Sequence, residues 1–456
     1  MSGVTSALAA SRRRGDPWLL GVGLLFGLLS AVYGFLLFWR YDIFRSGVDD
    51  GIFTQIANGA FSGFSSTVEG SANHLLVHFS PILLLTIPFV HLFHGVLGLS
   101  VLQALLVAAV VFPIWGMAVT RFPKPLAFIV TVIAACYPVL SAEAVQDFHE
   151  LAFAPVLTAC LVLALDRRAW RYAIVVALVL VCVKEDQFVS LAFIGVLLAV
   201  TDRADGQRRR CGLWIAAIAV SAALLYFGVV RRLIDPNFPY WSFHYYQWWW
   251  FPPTPNGFVT AASLARPLYV LGALVPLAFL PLGSRYALFA IPGFAEVLLS
   301  HEAVAMSMSI HYTATWSGYL LCAFVDGASV LNARSPVAAK AALTFAFLAS
   351  MWVSTFQSPV LPSYALYRWP APEDRERDLV LQSIPSNASV WSHDPFFARL
   401  SMNPQAATTM KSQAYLVFDL KQDAAEYASA PIRRLVDSGR YSLLLQKDDI
   451  AILKKR

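Results

Sequence analysis

Gly47-Val48-Asp49-Asp50-Gly51-Ile52-Phe53-Thr54-Gln55 sets two carboxylates side by side just after a long apolar run. An anionic oxygen held at a fixed position can take the proton of an attacking hydroxyl or ligate a divalent ion. The plainer reading is a solvated turn beside Gly51. Further along come Asn73-His74-Leu75-Leu76-Val77-His78-Phe79-Ser80-Pro81, then Gln146-Asp147-Phe148-His149-Glu150, then the charged turn Lys184-Glu185-Asp186. Lys184 can neutralise a phosphate while Glu185 or Asp186 orients a hydroxyl or a metal; an ion-paired cap explains the same tripeptide. The run Tyr240-Trp241-Ser242-Phe243-His244-Tyr245-Tyr246-Gln247-Trp248-Trp249-Trp250-Phe251 holds nine aromatic residues in twelve positions. An interfacial belt accounts for such rings, but flat rings also stack on a sugar face or grip a polyprenyl chain, with His244 on a phosphate or hydroxyl. His301-Glu302 and His311-Tyr312 complete the set and read, as lone pairs, as packed polar residues.

Apolar helices must position these groups. The chain has 456 residues, 58% hydrophobic and only 14% charged, with a mean hydropathy of +0.60. That excludes an ordinary soluble protein. About 20 predominantly apolar residues cross a bilayer, and the candidate spans are 17–38, 98–119, 125–142, 150–166, 171–183, 187–201, 212–230, 267–283, 285–300, 314–333 and 336–355. The expected class is therefore an α-helical polytopic membrane protein of about eleven spans. Segment 80–95 is also apolar and is assigned as a half-embedded helix on the outer side. With it outside, 15 of the body's 21 Lys and Arg residues fall in cytoplasmic turns; with it crossing, Arg203 and Arg208 to Arg210 would face outward, against the positive-inside rule. The amino terminus is then cytoplasmic, and the polar clusters gather on the outer face. An ionisable group left facing lipid costs about 2.5–3.5 kcal/mol, so a shared polar cavity on that face is the economical arrangement.

Residues 357–456 hold 13 of the 34 Lys and Arg and 11 of the 28 Asp and Glu. The split defines a membrane body, 1–356, whose first outer loop is 40–97, and an outer α/β tail, 357–456. Strands are expected at 389–391, 415–418, 441–445 and 450–453, with helices at 374–383 and 423–437. The five cysteines lie in or beside apolar segments without a CxxC pair and read as small core residues. There is no P-loop, GxGxxG, GxSxG or HExxH, which argues against a nucleotide-driven pump. The net charge of +6 lies mostly in short clusters between apolar runs, a topology signal rather than a nucleic-acid surface.

Taken in order, Asp49 to Gln55, His78-Phe79-Ser80-Pro81, Phe148-His149-Glu150, Lys184-Glu185-Asp186 and His311-Tyr312 resemble the domain of unknown function 2079 family of bacterial and archaeal membrane proteins. Ile384-Pro385-Ser386-Asn387-Ala388-Ser389-Val390 resembles that family's outer domain. Asp49 matches the family's acidic position, and Asp50 departs from its pattern. The layout is similar to that of GT-C glycosyltransferases, which take a sugar from a polyprenyl-phosphate carrier. The resemblance implies a bacterial plasma-membrane enzyme that transfers a sugar with inversion to an outer glycan, lipid or protein acceptor. Asp49 would be the general base and Asp50 the rival carboxylate. Lys184 and His78 would neutralise the departing phosphate, with His149 or His311 as further donors and Glu185 and Asp186 on sugar hydroxyls or a metal. Tyr240, Trp241 and His244 would line the substrate loop. No cofactor is required, and a divalent cation is compatible. Two alternatives come from other classes. A lipid or polysaccharide transporter or flippase should carry charge at the bilayer midplane on broken helices, where Asp326 and Glu296 are nearly all the inner helix faces offer. A membrane-anchored envelope-assembly protein would do its work through the tail.

Overall fold

The computed structural model describes residues 16–201, 204–240, 245–246, 257–300, 303–357, 368–420, 430–447 and 450–456. Among them five helices are long and apolar enough to cross a membrane: Pro17–Asp42, Val96–Ala118, Gly206–Ile234, His311–Arg334 and Pro336–Thr355. A sixth span forms if Lys124–Ala135 and Pro138–Val145, bent by 52° where they meet, are counted together. Pro138 begins the second half of that pair, and a proline there cannot donate back into the preceding turn. The other expected spans are shorter. Trp170–Leu180, Asp186–Thr201 and Ala265–Leu277 are apolar helices of 10–17 residues. Segment 150–166 opens as a 3₁₀ turn, Glu150–Phe153, before the helix Ala154–Asp166. Segment 285–300 divides in the same way, into Arg285–Ala290 and Ile291–Leu299. The segment expected to be half-embedded holds the apolar helix Pro81–Leu92. At 1.5 Å per residue its 12 residues reach about 18 Å, well short of a roughly 30 Å hydrocarbon core.

The helices Asp186–Thr201 and Gly206–Ile234 make the most extensive pairing in the body. Gly195 and Gly212 sit at their crossing. A Cβ on Gly195 would lie 2.5 Å from the Gly212 carbonyl, and one on Gly212 would lie 2.6 Å from the Gly195 carbonyl. Only glycine allows two backbones so close, the small-residue packing that substitutes for hydrophobic drive between helices in lipid. These two helices form two walls of the cavity described below.

In the tail, strands β1 (Val390–Ser392), β2 (Ala406–Ala407), β3 (Tyr415–Asp419), β4 (Tyr441–Lys447) and β5 (Ile450–Lys455) make one sheet in the order β2-β1-β3-β5-β4. The first three are parallel and β3-β5-β4 antiparallel. Four of the strands fall where the sequence places them, and β2 and the helix Asp394–Leu400 are additions. Side chains alternate between faces. Val390, Val417, Ile450 and Ile452 join Phe396 and Phe397 on one side, whereas Trp391, Leu416, Phe418 and Leu453 meet Ile432, Leu435 and Val436 on the other. The first of these cores also contains Phe44, and Val48, Ile52 and Val68 pack against it. The tail's core is therefore completed by the segment that follows the first helix. All five cysteines are free thiols.

Candidate active site

The helix Val48–Asn58 carries the two carboxylates in its first turn. Asp50 points inward and is nearly spent. Its Oδ1 accepts the Phe148 amide at 2.8 Å, its Oδ2 stands 3.8 Å from the Arg40 guanidinium, and Ser46 donates to it as well. Arg40 also pairs with Asp147 and donates to the Val145 carbonyl at 3.3 Å, and the Gly47 amide donates to Asp147 at 3.0 Å. This clasp joins the end of the first helix to the loop 145–148. Asp49, in contrast, has no hydrogen bond or ion pair with any described residue. Burial raises its pKa to about 6; Asp50 and Glu150 push in the same direction, against Lys184 and Arg40. A carboxylate titrating there suits a general base near neutral pH.

Lys184 occupies the middle of the site. Its Nζ lies 3.6 Å from both Glu150 Oε1 and Asp186 Oδ2 and 5.8 Å above the centre of the Tyr312 ring. Burial alone would lower its pKa, but Asp186 and Glu150 outweigh burial and hold it well above the ordinary lysine value. It is a fixed cation. Both Glu150 oxygens are buried without a hydrogen bond to any described residue. Glu185 is fully engaged: it accepts from His78 Nδ1 at 2.8 Å, the Phe79 amide at 2.9 Å and the Tyr240 hydroxyl at 3.0 Å. Burial raises its pKa, yet His78, Lys184 and the Phe79 amide bring it down to about 2. Burial and Lys184 pull His78 down, Glu185 more than compensates, and the net shift is upward. His149 lies 3.1 Å from Glu150 and stacks on His311. Burial, then His311 and Lys184, push its pKa well below the ordinary histidine value, so it is neutral.

His78, Lys184, Glu185, Asp186, Tyr240 and Tyr312 line one cavity of about 460 Å³. An apolar stretch of wall faces them: Val189 from one of the paired helices, Ala223 and Phe227 from the other, with Pro292 and Leu299. Val189, Phe227 and Leu299 are exposed apolar side chains, so the polar floor gives way to an open apolar wall. Phe227 lies in a π-helical turn, Tyr226–Val230, of the kind that re-aims side chains at functional sites.

Glu296, read from sequence as an inner helix-face residue, instead lines this cavity and shares a hydrogen bond with Asp186. Tyr245 and Tyr246 belong to the aromatic run that the sequence marks out, whereas Arg40 and Glu296 carried no signal of their own, being single charged residues beside apolar runs. Trp241, His244, His301 and Glu302 lie outside the described residues. Among those described, no three His, Cys, Asp or Glu side chains converge to hold a metal ion.

The order of these clusters along the chain is a family signature: the DUF2079 pattern, described as a predicted membrane protein, matches residues 40–429. The chain belongs to the DUF2079 family. No curated protein matches it. In architecture this DUF2079 protein is similar to ArnT from Cupriavidus metallidurans. It matches the crystal structure bound to undecaprenyl phosphate with a TM-score of 0.56 at 13% identity, covering 95% of this chain and 98% of that one. The apo ArnT structure gives 0.55 at 12% identity, with the same coverage of 95% and 98%. The fold of this multi-pass membrane protein is thus GT-C-like.

Proposed function

We propose that this DUF2079 protein is an inverting glycosyltransferase that moves a sugar from a polyprenyl-phosphate donor to an acceptor on the outer side of the membrane. The observation that carries this reading is the cavity itself. A fixed lysine and a histidine–glutamate pair stand at the polar end of a cavity with an apolar wall, and Asp49, which has no partner among the described residues, senses Lys184 from outside that lining. Such a cavity suits a ligand with a phosphate head and a hydrocarbon chain. ArnT, a GT-C glycosyltransferase whose fold resembles this one, has been crystallised with undecaprenyl phosphate.

In the reaction, Asp49 takes the proton of the acceptor hydroxyl as its oxygen forms a bond to the anomeric carbon. The bond from that carbon to the phosphate oxygen breaks on the opposite side, which inverts the centre. The electron pair leaves with the lipid phosphate, whose charge is met by Lys184 and His78. Tyr240 and Tyr312 offer ring faces to the sugar, and Asp186, sharing a proton with Glu296, accepts from its hydroxyls. The charge neutralisation is assigned to side chains alone.

The test is incubation of the purified protein with a panel of polyprenyl-phosphate sugars, with released lipid phosphate read by mass spectrometry. Wild-type protein should release it with one donor, and Asp49→Asn should lose release while still inserting in membranes. Full activity of the Asn variant would remove Asp49 as the base.

A further inference from the structure

The helix Val48–Asn58 has two working faces. Gly51, Gln55 and Asn58, spaced four and three residues apart, form one stripe, and all three meet the tail. Gln55 Nε2 donates to the carbonyls of Asn403 at 3.1 Å and Ala406 at 2.9 Å. Its Oε1 accepts from the Ser66 hydroxyl and the Thr67 amide, each at 3.0 Å, and from the Thr67 hydroxyl at 3.1 Å. Asn58 donates to the Met402 carbonyl at 2.9 Å. At Gly51 the edge of the Phe397 ring stands too close to the backbone to admit a Cβ without movement. On the preceding helix, Pro17–Asp42, Arg399 donates to the Tyr41 carbonyl at 2.6 Å and stacks over the Tyr41 ring at 3.5 Å. Asp49 and Phe53 lie on the other face. Two residues in a helix are about 200° apart, so with Gly51 turned to the tail, Asp49 is turned away from it, and Phe53 meets His149 edge-on at 5.2 Å.

We propose that Phe397 is a positioning residue for the site: seated on Gly51, it fixes the distance of Asp49 from Lys184 across the helix. The carboxy-terminal unit is then a working part of the active centre rather than an appendage. This rests on Asp49 being the base, but its geometry can be read without any sugar donor. The charged groups that act on Asp49 are Asp50, Glu150, Lys184 and Arg40, and none belongs to the tail. A tail substitution that alters the ionisation of Asp49 therefore acts through the placement of the helix and the water that reaches the carboxyl, not through a charge of its own.

The experiment is pH-dependent carbodiimide amidation of Asp49 in the full chain in membranes, quantified by mass spectrometry, since only the protonated carboxyl is activated. The wild-type midpoint should fall near pH 6. Phe397→Ala should lower it by about one unit as the carboxylate gains water, and Phe397→Leu should restore most of it. Gly51→Ala tests the same contact from the body side. Alanine is the better helix former, so the helix persists while its new methyl group pushes against Phe397, and the midpoint should move away from the wild-type value. This variant decides the matter if Phe397→Ala does not accumulate. An unchanged midpoint in the inserted, folded variants would overturn the proposal. Because labelling needs no donor, absence of transfer with every sugar would remove the transferase reading and leave this one standing, and an unchanged midpoint would do the reverse.

Discussion

The rings of His149 and His311 lie face to face, with centroids 3.6 Å apart and planes within 9° of parallel. Phe53 closes one end of this column from the Asp49 helix, and Tyr312 continues it at 4.4 Å into the cavity wall. The column ties the proposed base to the donor pocket through three segments distant in sequence. Its packing and its hydrogen bonding can be separated. His149→Phe keeps a flat ring and should retain the fold, whereas His149→Ala should also lose about 1 kcal/mol of ring contact. If the imidazole donates to the lipid phosphate, both variants should lower turnover by about a hundredfold. Equal turnover of the Phe variant and wild type would leave the column a purely structural role.

Transfer should depend on pH through two groups. Asp49 must be ionised to accept a proton, and its pKa is raised to about 6, so turnover should fall as pH drops through that value. His78 must be protonated to aid the phosphate. Its pKa is raised, so its contribution persists above the ordinary histidine value near 6.5 and is lost as pH climbs through the shifted one. Glu185, held at about 2, stays ionised throughout. The profile of kcat/KM should therefore be bell-shaped. Asp49→Asn should abolish turnover at every pH, and His78→Gln should remove the alkaline limb while leaving the acid one.

The two adjacent aspartates should part company in stability measurements. Asp50 is 4% exposed and bound to the Phe148 amide and Arg40. Asp50→Ala leaves Arg40 short of one partner and the amide with none, a loss of about 3 kcal/mol. Thermal unfolding in detergent should show a clear drop for Asp50→Ala and for Arg40→Gln. Asp49→Ala removes no hydrogen bond to a described residue and should unfold like wild type or later.

Local signals were the ones that sequence reading recovered. The chemical clusters, four of five tail strands and the 80–95 segment all announce themselves through spacing, period-2 alternation or the length of an apolar run. Whether Asp49 or Asp50 is free depends on Arg40 reaching both Asp50 and Asp147, and no spacing rule pairs position 40 with 147. Glu296 is one acid in an apolar helix, and only the fold sets it against Asp186. The long apolar segments at 150–166 and 285–300 carry enough hydrophobicity for a span, but 3₁₀ turns at their starts shorten the helix. The shared core of the tail was hidden for a related reason. Phe44, Val48 and Ile52 look like the boundary of a membrane helix, and nothing in their periodicity says that their partners lie some 350 residues away.

One feature fits a carrier better than a transferase, and it supplies the sharpest test between them. Glu143 lies in the bent pair Lys124–Ala135 and Pro138–Val145, and both its side-chain oxygens are buried without a hydrogen bond to any described residue. Nearby, Gln103 donates to the carbonyls of Glu143 at 2.8 Å and Gln146 at 3.0 Å while its own oxygen has no partner among the described residues. A buried acid at a broken helix is what a coupled carrier uses to bind and release protons. Glutamine has the same shape and cannot release a proton. In a transferase, Glu143→Gln should leave sugar transfer within about twofold of wild type, because the residue lines neither the cavity nor the Asp49 helix. In a carrier, the same change should stop proton-coupled movement of a lipid or glycan across reconstituted vesicles, while Asp49→Asn should leave that movement intact.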